Sequence, residues 1–370
     1  MRLADLPTPC LVLDRPALLR NLDAMERVVA RHGVALRPHM KTAKSIDVAR
    51  LAMARPGAAR GGGITVATLA EAEYFVGHGI TDILLAIGVT AQKLEQVVKL
   101  NAAGADIAVV TDDADTASAI AALPAPPRAL VEIDCGQHRG GLEAENPAVI
   151  EVARRLGPAF AGVMTHAGHS YAGHSAQDMA DHAEAERTAA VAAAERLAAE
   201  GMPARIVSVG STPTVLHAES MRGVTEVRAG VYMFGDLFQA EIGSHPPGDI
   251  AVTVLASVIG RRPEEHTLLV DAGALALSMD RSTAQTPHDH GYGLMLDIGG
   301  RRGFGEAIVR RVWQEHGLVE LDPAQAVAPV GAKVRIAPNH ACHTAAAHDR
   351  YFVVDDDDTV VAIWPRINGW

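Results

Sequence analysis

The sequence predicts an α/β chain, a (β/α)8 TIM barrel followed by a C-terminal β-domain. Three observations predict it. Between residues 15 and 245 one alternation recurs eight times: a short β-branched apolar run, then a helical pattern. The runs are continuous in apolar character, as strands buried on both faces must be. After about residue 245 the helical patterns fade, and segments of strand and turn take over.

The elements follow in order. "TPCLVLD" (8–14) is a lone strand ahead of the first helix and is assigned to the β-domain. In 16–30, Leu18, Leu19, Leu22, Met25, Val28 and Val29 recur at i, i+3, i+4 spacing, one face of a helix. The eight barrel runs lie at 33–41, 63–69, 81–88, 105–112, 127–134, 160–168, 205–212 and 225–235. "TLAE" (68–71) is a capping box that starts one intervening helix. An Ala/Glu/Arg-rich helix spans 176–200 and ends at Gly201. Eight such units within 15–245 fit a closed barrel better than a doubly wound sheet. The β-domain is 246–370 plus the strand 8–14, with strands read in "DIAVTVLASVIGRR", "HTLLVDAGALALS", "GYGLMLDI", "AKVRIAP" and "DRYFVVDDDDTVVAIWPRI".

Composition limits the function. The 370 residues carry a net charge of −11, with acidic groups spread along the chain. That argues against nucleic acid or an anionic membrane as partner and leaves room for a small ligand with a local site. The three cysteines, Cys10, Cys135 and Cys342, make no disulfide framework and point to a reducing compartment. The N-terminal "MRLADLPTPC" has no apolar signal core, and no apolar run reaches membrane-spanning length. A cytoplasmic protein is expected.

In a barrel, catalytic groups stand at the C-terminal ends of the strands. Those ends present His39 and Lys41, then His138 and Arg139, then Thr165, His166, His169 and Tyr171, then Gly210, Ser211 and Thr212, and finally Arg228, Gly230 and Tyr232. The hydroxyls and glycines of the last two strands form a rim suited to a phosphate, whose oxygens take N–H and O–H donors. A phosphate and an amine across the mouth suggest pyridoxal phosphate held as a Schiff base, with a sugar-phosphate enzyme as the alternative. Of the two lysines in "RPHMKTAK" (37–44), Lys41 is placed at the strand end and Lys44 at the start of the next helix, pointing outward. The plain alternative is that both are solvated loop lysines. In "PNHACH" (338–343), His340 and Cys342 are two apart and share a side if the segment is extended, with His343 facing away. Imidazole plus thiolate suits Zn²⁺. His316 and Asp271 are weaker candidates nearby, and Asp271 also reads as a turn former before Gly273.

Six segments in order, "RPHMKTAKS", "EIDCGQHRGG", "THAGHSY", "VSVGSTPT", "TEVRAGVYMFG" and "APNHACH", resemble the fold-type III pyridoxal-phosphate enzymes, the alanine racemase-like barrels. The likeness is strongest to the branch of D-serine dehydratase, D-threonine aldolase and 3-hydroxy-D-aspartate dehydratase. It implies that Lys41 is the Schiff-base lysine and that Arg139 contacts the cofactor's phenolic oxygen. Ser211–Thr212 and Gly230–Tyr232 resemble the phosphate cup, and Tyr171 the active-site tyrosine of the dehydratases. Phe234 stands where the racemases carry a tyrosine, so Tyr232 would have to supply that hydroxyl. His340 and Cys342 resemble the dehydratases' metal motif, where the aldolases carry H-x-D. Zn²⁺ is the expected ion, with Mn²⁺ or Mg²⁺ as alternatives.

The expected activity is loss of water from a D-β-hydroxy-α-amino acid, with Lys41 as base at Cα, giving a 2-oxo acid and ammonia. Aldol cleavage to glycine and an aldehyde is the alternative, with His166, His169 or metal-bound hydroxide as base at the β-hydroxyl. A non-catalytic role in cofactor homeostasis is a third reading, disfavoured by the β-domain. Arg281 is one of several arginines available to a second substrate carboxylate. A homodimer is implied by the resemblance.

Overall fold

The computed structural model describes residues 1–173, 175–355 and 357–370. The chain divides into two units. One comprises Asp23–Gly230 with Ile367–Trp370, the other Met1–Leu22 with Val231–Arg366. Residues 15–22 and 231–245, read from sequence as barrel, therefore fall with the β-rich unit. The lone N-terminal strand β1 (Cys10–Asp14) also belongs there.

The larger unit holds β2 (Ala35–Leu36), β3 (Ile64–Val66), β4 (Asp82–Gly88), β5 (Asp106–Thr111), β6 (Ala129–Asp134), the appended β7 (Leu142–Glu143), β8 (Phe160–Thr165), β9 (Ile206–Val209) and β10 (Glu226–Val227). They pair in parallel in the order β2-β10-β9-β8-β6-β5-β4-β3, with β7 beside β6. A bridge between His39, just past β2, and Thr65 of β3 joins the two ends of this order and closes the barrel. Met40 N donates to Thr65 O, and Thr65 N to Pro38 O, both at 2.8 Å. The first strand is shorter than the run 33–41 because Pro38 has no N–H to give to a ladder. The run 225–235 yields only Glu226–Val227 before a 3₁₀ turn at Val231–Met233.

Leu84, Ala108, Val110, Leu130 and Met164 form one core cluster of this barrel. The N-terminal end is closed by charge. Arg37, almost fully buried, reaches Glu226 at 3.0 Å and Asp82 at 3.1 Å. A lone buried guanidinium would be costly; two carboxylates at the starts of β10 and β4 neutralise it.

The β-rich unit adds β11 (Val252–Arg262), β12 (Thr267–Val270), β13 (Leu294–Leu296), β14 (Ile308–Val312), β15 (Gly317–Glu320), β16 (Lys333–Ala337), β17 (Arg350–Val354) and β18 (Val360–Pro365). Their order is β12-β15-β14-β13-β16-β11-β1-β17-β18, and β12 also pairs with β11, which closes a ring. β1 lies antiparallel to β11 and parallel to β17. The hairpin β14–β15 is absent from the strands read in the sequence. Its "IVRRV" pairs adjacent arginines, which breaks the period-two alternation at the bulge between Val309 and Arg311. Cys10 lies buried in this unit's core, and burial pushes its thiol up to about 12, so it stays protonated. Among the described residues no helix is long and apolar enough to cross a membrane.

Candidate active site

The chain leaves β2 through Pro38 and turns over 40–43. This turn separates the two lysines. Lys44 adopts a left-handed φ of 48°. Its Nζ lies 3.1 Å from Oε1 of Glu71, a wholly buried carboxylate. Glu71 is held in turn by the cap of the helix Leu69–Gly77: its N–H donates to Thr68 Oγ1 at 3.1 Å, and its Oε2 accepts from Ala67 N at 3.3 Å. Lys44 is thus an inward-pointing structural cation, contrary to the outward placement read from sequence. Lys41 is exposed at the C-terminal end of the first strand.

Around Lys41 the field is positive. His39 is half-buried and titrates far below the ordinary histidine range, first through desolvation and then through Lys41, Arg228 and His166. His166, at the end of β8, is depressed to about 3 by burial and by Lys41, with Arg139 and Arg228 adding to the effect. Its Nδ1 lies 3.0 Å from Gly210 O. Against a carbonyl Nδ1 must carry the proton, leaving Nε2 as the acceptor. Three cations, Lys41, Arg139 and Arg228, therefore act on one neutral imidazole. That suits an anionic, phosphorylated ligand.

Arg228 is held from within the barrel. It donates from Nη1 to Ser208 Oγ at 2.8 Å and from Nη2 to Thr165 O. Behind it sits Glu186, from the helix Ala176–Ala199. Its Oε1 accepts from Thr165 Oγ1 (3.0 Å), Ala167 N (3.1 Å) and Gly210 N (2.8 Å), and its Oε2 from Thr214 Oγ1 (2.7 Å). One buried carboxylate ties the ends of β8 and β9 together.

The rim is tight. A Cβ at Gly210, whose φ is +145°, would lie 2.1 Å from Arg228 O, and one at Gly230 would lie 2.7 Å from His39 O. Ser211 caps the short helix Thr212–His217. Its hydroxyl lies 2.9 Å from Ser170 Oγ, in the 3₁₀ turn Gly168–Ala172 that also carries Tyr171. The N–H groups of Gly210 and Ser211 are engaged by Glu186 and by Thr214 Oγ1. The expected donation from the Gly210 backbone is thus already spent internally, and Ser211, Thr212 and the Gly230 turn are left to form the rim. Tyr232 is buried in the other unit, as is Phe234, whose ring packs edge-on against Tyr351 at 5.6 Å.

The β-rich unit carries a second cluster. The segment does not stay extended: His340 has extended backbone at the N-cap position, and Cys342 and His343 lie within the helix Ala341–Ala346. One helical turn brings His343 to the same side, and the two rings stack at 4.2 Å. The expected outward direction of His343 is thereby corrected. Both Nδ1 atoms face Asp280 Oδ2, at 3.5 Å from His340 and 3.3 Å from His343. Ligand atoms of these three residues all lie within 4.8 Å of one another. Burial lowers the His340 pKa, but hydrogen bonds to Asp280 and Cys342 outweigh it and raise the value to about 11. Asp280 is held well below the carboxylate range: His340 and Ser282 outweigh its own burial. Asp280, His340 and His343 thus offer one ligand atom each to a single point, with Cys342 hydrogen-bonded to His340 beside them. Asn339 braces it, donating to Asp280 O at 3.2 Å and Gly291 O at 2.7 Å. His316 is exposed in the β14–β15 turn, and Asp271 is engaged by Ser257 N and Thr8 Oγ1. Neither joins the cluster. Arg281 pairs with Asp289 at 2.6 Å and lies over the Tyr292 ring.

With this geometry in place, likeness to known proteins becomes decisive. The alanine racemase N-terminal domain family matches residues 13–237, and the D-serine dehydratase domain family matches residues 251–354. The chain is 41% identical to D-threo-3-hydroxyaspartate dehydratase of Delftia sp. (strain HT23), over 100% of this chain and 99% of that protein. The chain belongs to the alanine racemase-like, fold-type III family, in its D-serine dehydratase branch. The Delftia enzyme's structure superposes on this fold-type III chain with a TM-score of 0.94, covering 100% of both. A cysteine-to-alanine variant of D-threo-3-hydroxyaspartate dehydratase, with the same TM-score, is in the metal-free form, and a histidine-to-alanine variant also exists. The two substituted positions are two residues apart, the spacing of His340 and Cys342. D-serine dehydratase of Dictyostelium discoideum is 29% identical over 99% of this chain and 98% of its own. The 3-hydroxy-D-aspartate aldolase of Paracoccus denitrificans is 30% identical over 98% and 92%.

Sequence reasoning missed Glu186, Asp280 and His343 as site-forming residues of this fold-type III chain. Glu186 had a signal: it shares the inward face of its helix with Met179, Ala183, Ala190, Ala193 and Leu197, all buried. Asp280 had none, because it reaches His340 only through folding.

Proposed function

We propose that the chain is a pyridoxal-phosphate- and divalent-metal-dependent lyase that removes water from D-β-hydroxy-α-amino acids of the 3-hydroxy-D-aspartate or D-serine type, giving a 2-oxo acid and ammonia. The barrel unit holds the cofactor and the β-rich unit holds the metal. The observation that carries the reading is the hydrogen-bonded pair His340 and Cys342: a D-threo-3-hydroxyaspartate dehydratase alike over the whole chain has a histidine-to-alanine variant and, two residues on, a cysteine-to-alanine variant in the metal-free form.

The barrel residues fit the cofactor. Lys41 is its covalent anchor, and Arg139 and Arg228 supply the positive potential. Ser211, Thr212 and the Gly230 turn supply a rim, and its narrowness would be abolished by a side chain at Gly210 or Gly230. Bound there, pyridoxal phosphate supplies an electron sink for charge developing at Cα. Freed from that anchorage when the substrate's amine takes its place, Lys41 Nζ takes the Cα proton. His166 Nε2, on a ring depressed to about 3, is a poor proton acceptor near neutrality and orients ligand atoms as a neutral group. The aldol alternative needs a base at the β-hydroxyl, and the barrel histidines His166 and His169 are both held below their ordinary range, which weakens both as bases for that path. A divalent ion on His340 and Cys342 supplies Lewis acidity for hydroxide departure. Imidazole with thiolate favours Zn²⁺ over Mn²⁺ or Mg²⁺. The reading includes a homodimer in the cytoplasm, carried by the family likeness and by three cysteines that form no disulfide.

Metal removal tests it. Dialysis against a chelator should silence turnover of 3-hydroxy-D-aspartate, and Zn²⁺ or Mn²⁺ should restore it. Full activity in a metal-stripped sample would contradict the reading.

A further inference from the structure

Strand β16 places an arginine in the middle of the β-rich sheet. Arg335 is opposite Leu255 of β11 and only 4% exposed. Among the described residues its guanidinium makes one hydrogen bond, from Nε to Thr253 Oγ1 at 2.7 Å, and no ion pair. Its Nη atoms lie behind Gly300, where a Cβ would come within 2.7 Å of Nη1. Burial lowers its pKa, and Asp14, Asp358 and Asp297 only partly oppose this from beyond contact distance. A buried guanidinium with two uncommitted amino groups carries a large desolvation cost unless something else pairs with it.

Arg335 lines a cavity of about 410 Å³ in the same unit, one the chemistry above does not use. Most other charges on its wall are already engaged. Arg20 pairs with Asp249 at 2.7 Å, Arg301 with Asp297 at 3.3 Å, and Asp355 with Arg15 at 2.5 Å. Asp14 uses one oxygen to cap Ala17 N at 2.8 Å, and Asp358 is 3.9 Å from the exposed Arg2. Asp357 uses one oxygen to accept from Thr359 N at 2.7 Å, so the groups left to a ligand are the buried Arg335, the exposed Arg2 and carboxylate oxygens of Asp14, Asp357 and Asp358. An inorganic anion drawn to Arg335 would meet those carboxylates as like charges, and a bare cation would meet Arg335. A molecule with both a carboxylate and an ammonium satisfies both.

We propose that this cavity is a second, non-catalytic site for a free α-amino acid, its carboxylate on Arg335 and its ammonium towards Asp14 and Asp358. The proposal is independent of the lyase reading. The planar fork of Arg335 matches a carboxylate with two parallel hydrogen bonds.

The test titrates the full-length, cofactor-loaded protein with glycine, L-aspartate and inorganic phosphate by calorimetry. Saturable binding of at least one of the two amino acids is expected, at least tenfold tighter than phosphate. Arg335→Gln should weaken it at least tenfold. Asp358→Asn, at a half-exposed loop position that keeps the fold, should weaken it at least threefold and carries the test if the arginine variant does not fold. Three results would overturn the proposal: no saturable binding of either amino acid, phosphate binding as tightly, or binding unchanged in Asp358→Asn and in any folded Arg335→Gln.

Discussion

Lys44 reaches back to Glu71, whose carboxylate is wholly buried at the start of a helix, while Lys41 extends from the end of the first barrel strand. Removing each should give opposite phenotypes. Lys44→Ala strands a buried charge and should cost on the order of 3 kcal/mol of stability, with the cofactor still attached. Lys41→Ala should change stability by less than about 0.5 kcal/mol, as at most exposed positions. It should abolish the visible absorbance of the bound cofactor and reduce turnover at least ~10³-fold. Absorbance and denaturation curves separate the two. A visible band that survives Lys41→Ala and disappears in Lys44→Ala would reverse the assignment. The strand-end position of Lys41 was legible in the sequence, because Pro38 and the β-branched run mark where the strand stops. The inward turn of Lys44 was not, because it depends on Glu71, 27 positions on, being buried by a helix cap.

At the scale of elements, the helix Ala176–Ala199 does more than cover the barrel. Glu186 on its inner face accepts hydrogen bonds from both the β8 and the β9 ends and lies in the field of Arg228. Glu186→Gln replaces an all-acceptor group by one whose NH₂ must face donors. It should cost roughly 2–4 kcal/mol in chemical denaturation, by the usual price of disrupting a buried charged network. A loss under about 1 kcal/mol would mean that the strand ends are held by other contacts. The helix itself, its limits and its end at Gly201 were readable from periodicity. The hub was not weighed, because a glutamate in an Ala/Glu/Arg-rich helix reads first as a solvated residue. The segment around His340 shows the same limit. The H-x-C spacing named His340 and Cys342, but a helical start instead of an extended one turns His343 towards Asp280.

For the whole molecule, eight parallel strands and a β-rich unit follow from continuous apolar runs and from where helical periodicity ends. The missed hairpin and the shortened first barrel strand trace to local chemistry: paired arginines at a bulge, and Pro38. The buried histidines make a prediction about folding at low pH. His166 keeps a folded pKa of about 3 against an ordinary 6.5, so between these values the unfolded chain binds more protons. The stability it contributes is complete above pH 6.5 and is lost as pH falls towards 3, with a slope of up to ~1.4 kcal/mol per pH unit. His166→Gln should flatten that slope in denaturant midpoints between pH 4 and 6.5; an unchanged slope would contradict the burial argument. The central claim concerns which bond breaks at Cβ, and product analysis with 3-hydroxy-D-aspartate tests it most directly. The account predicts oxaloacetate and ammonia in equal amounts with only traces of glycine. Glycine and glyoxylate as the dominant products would contradict it.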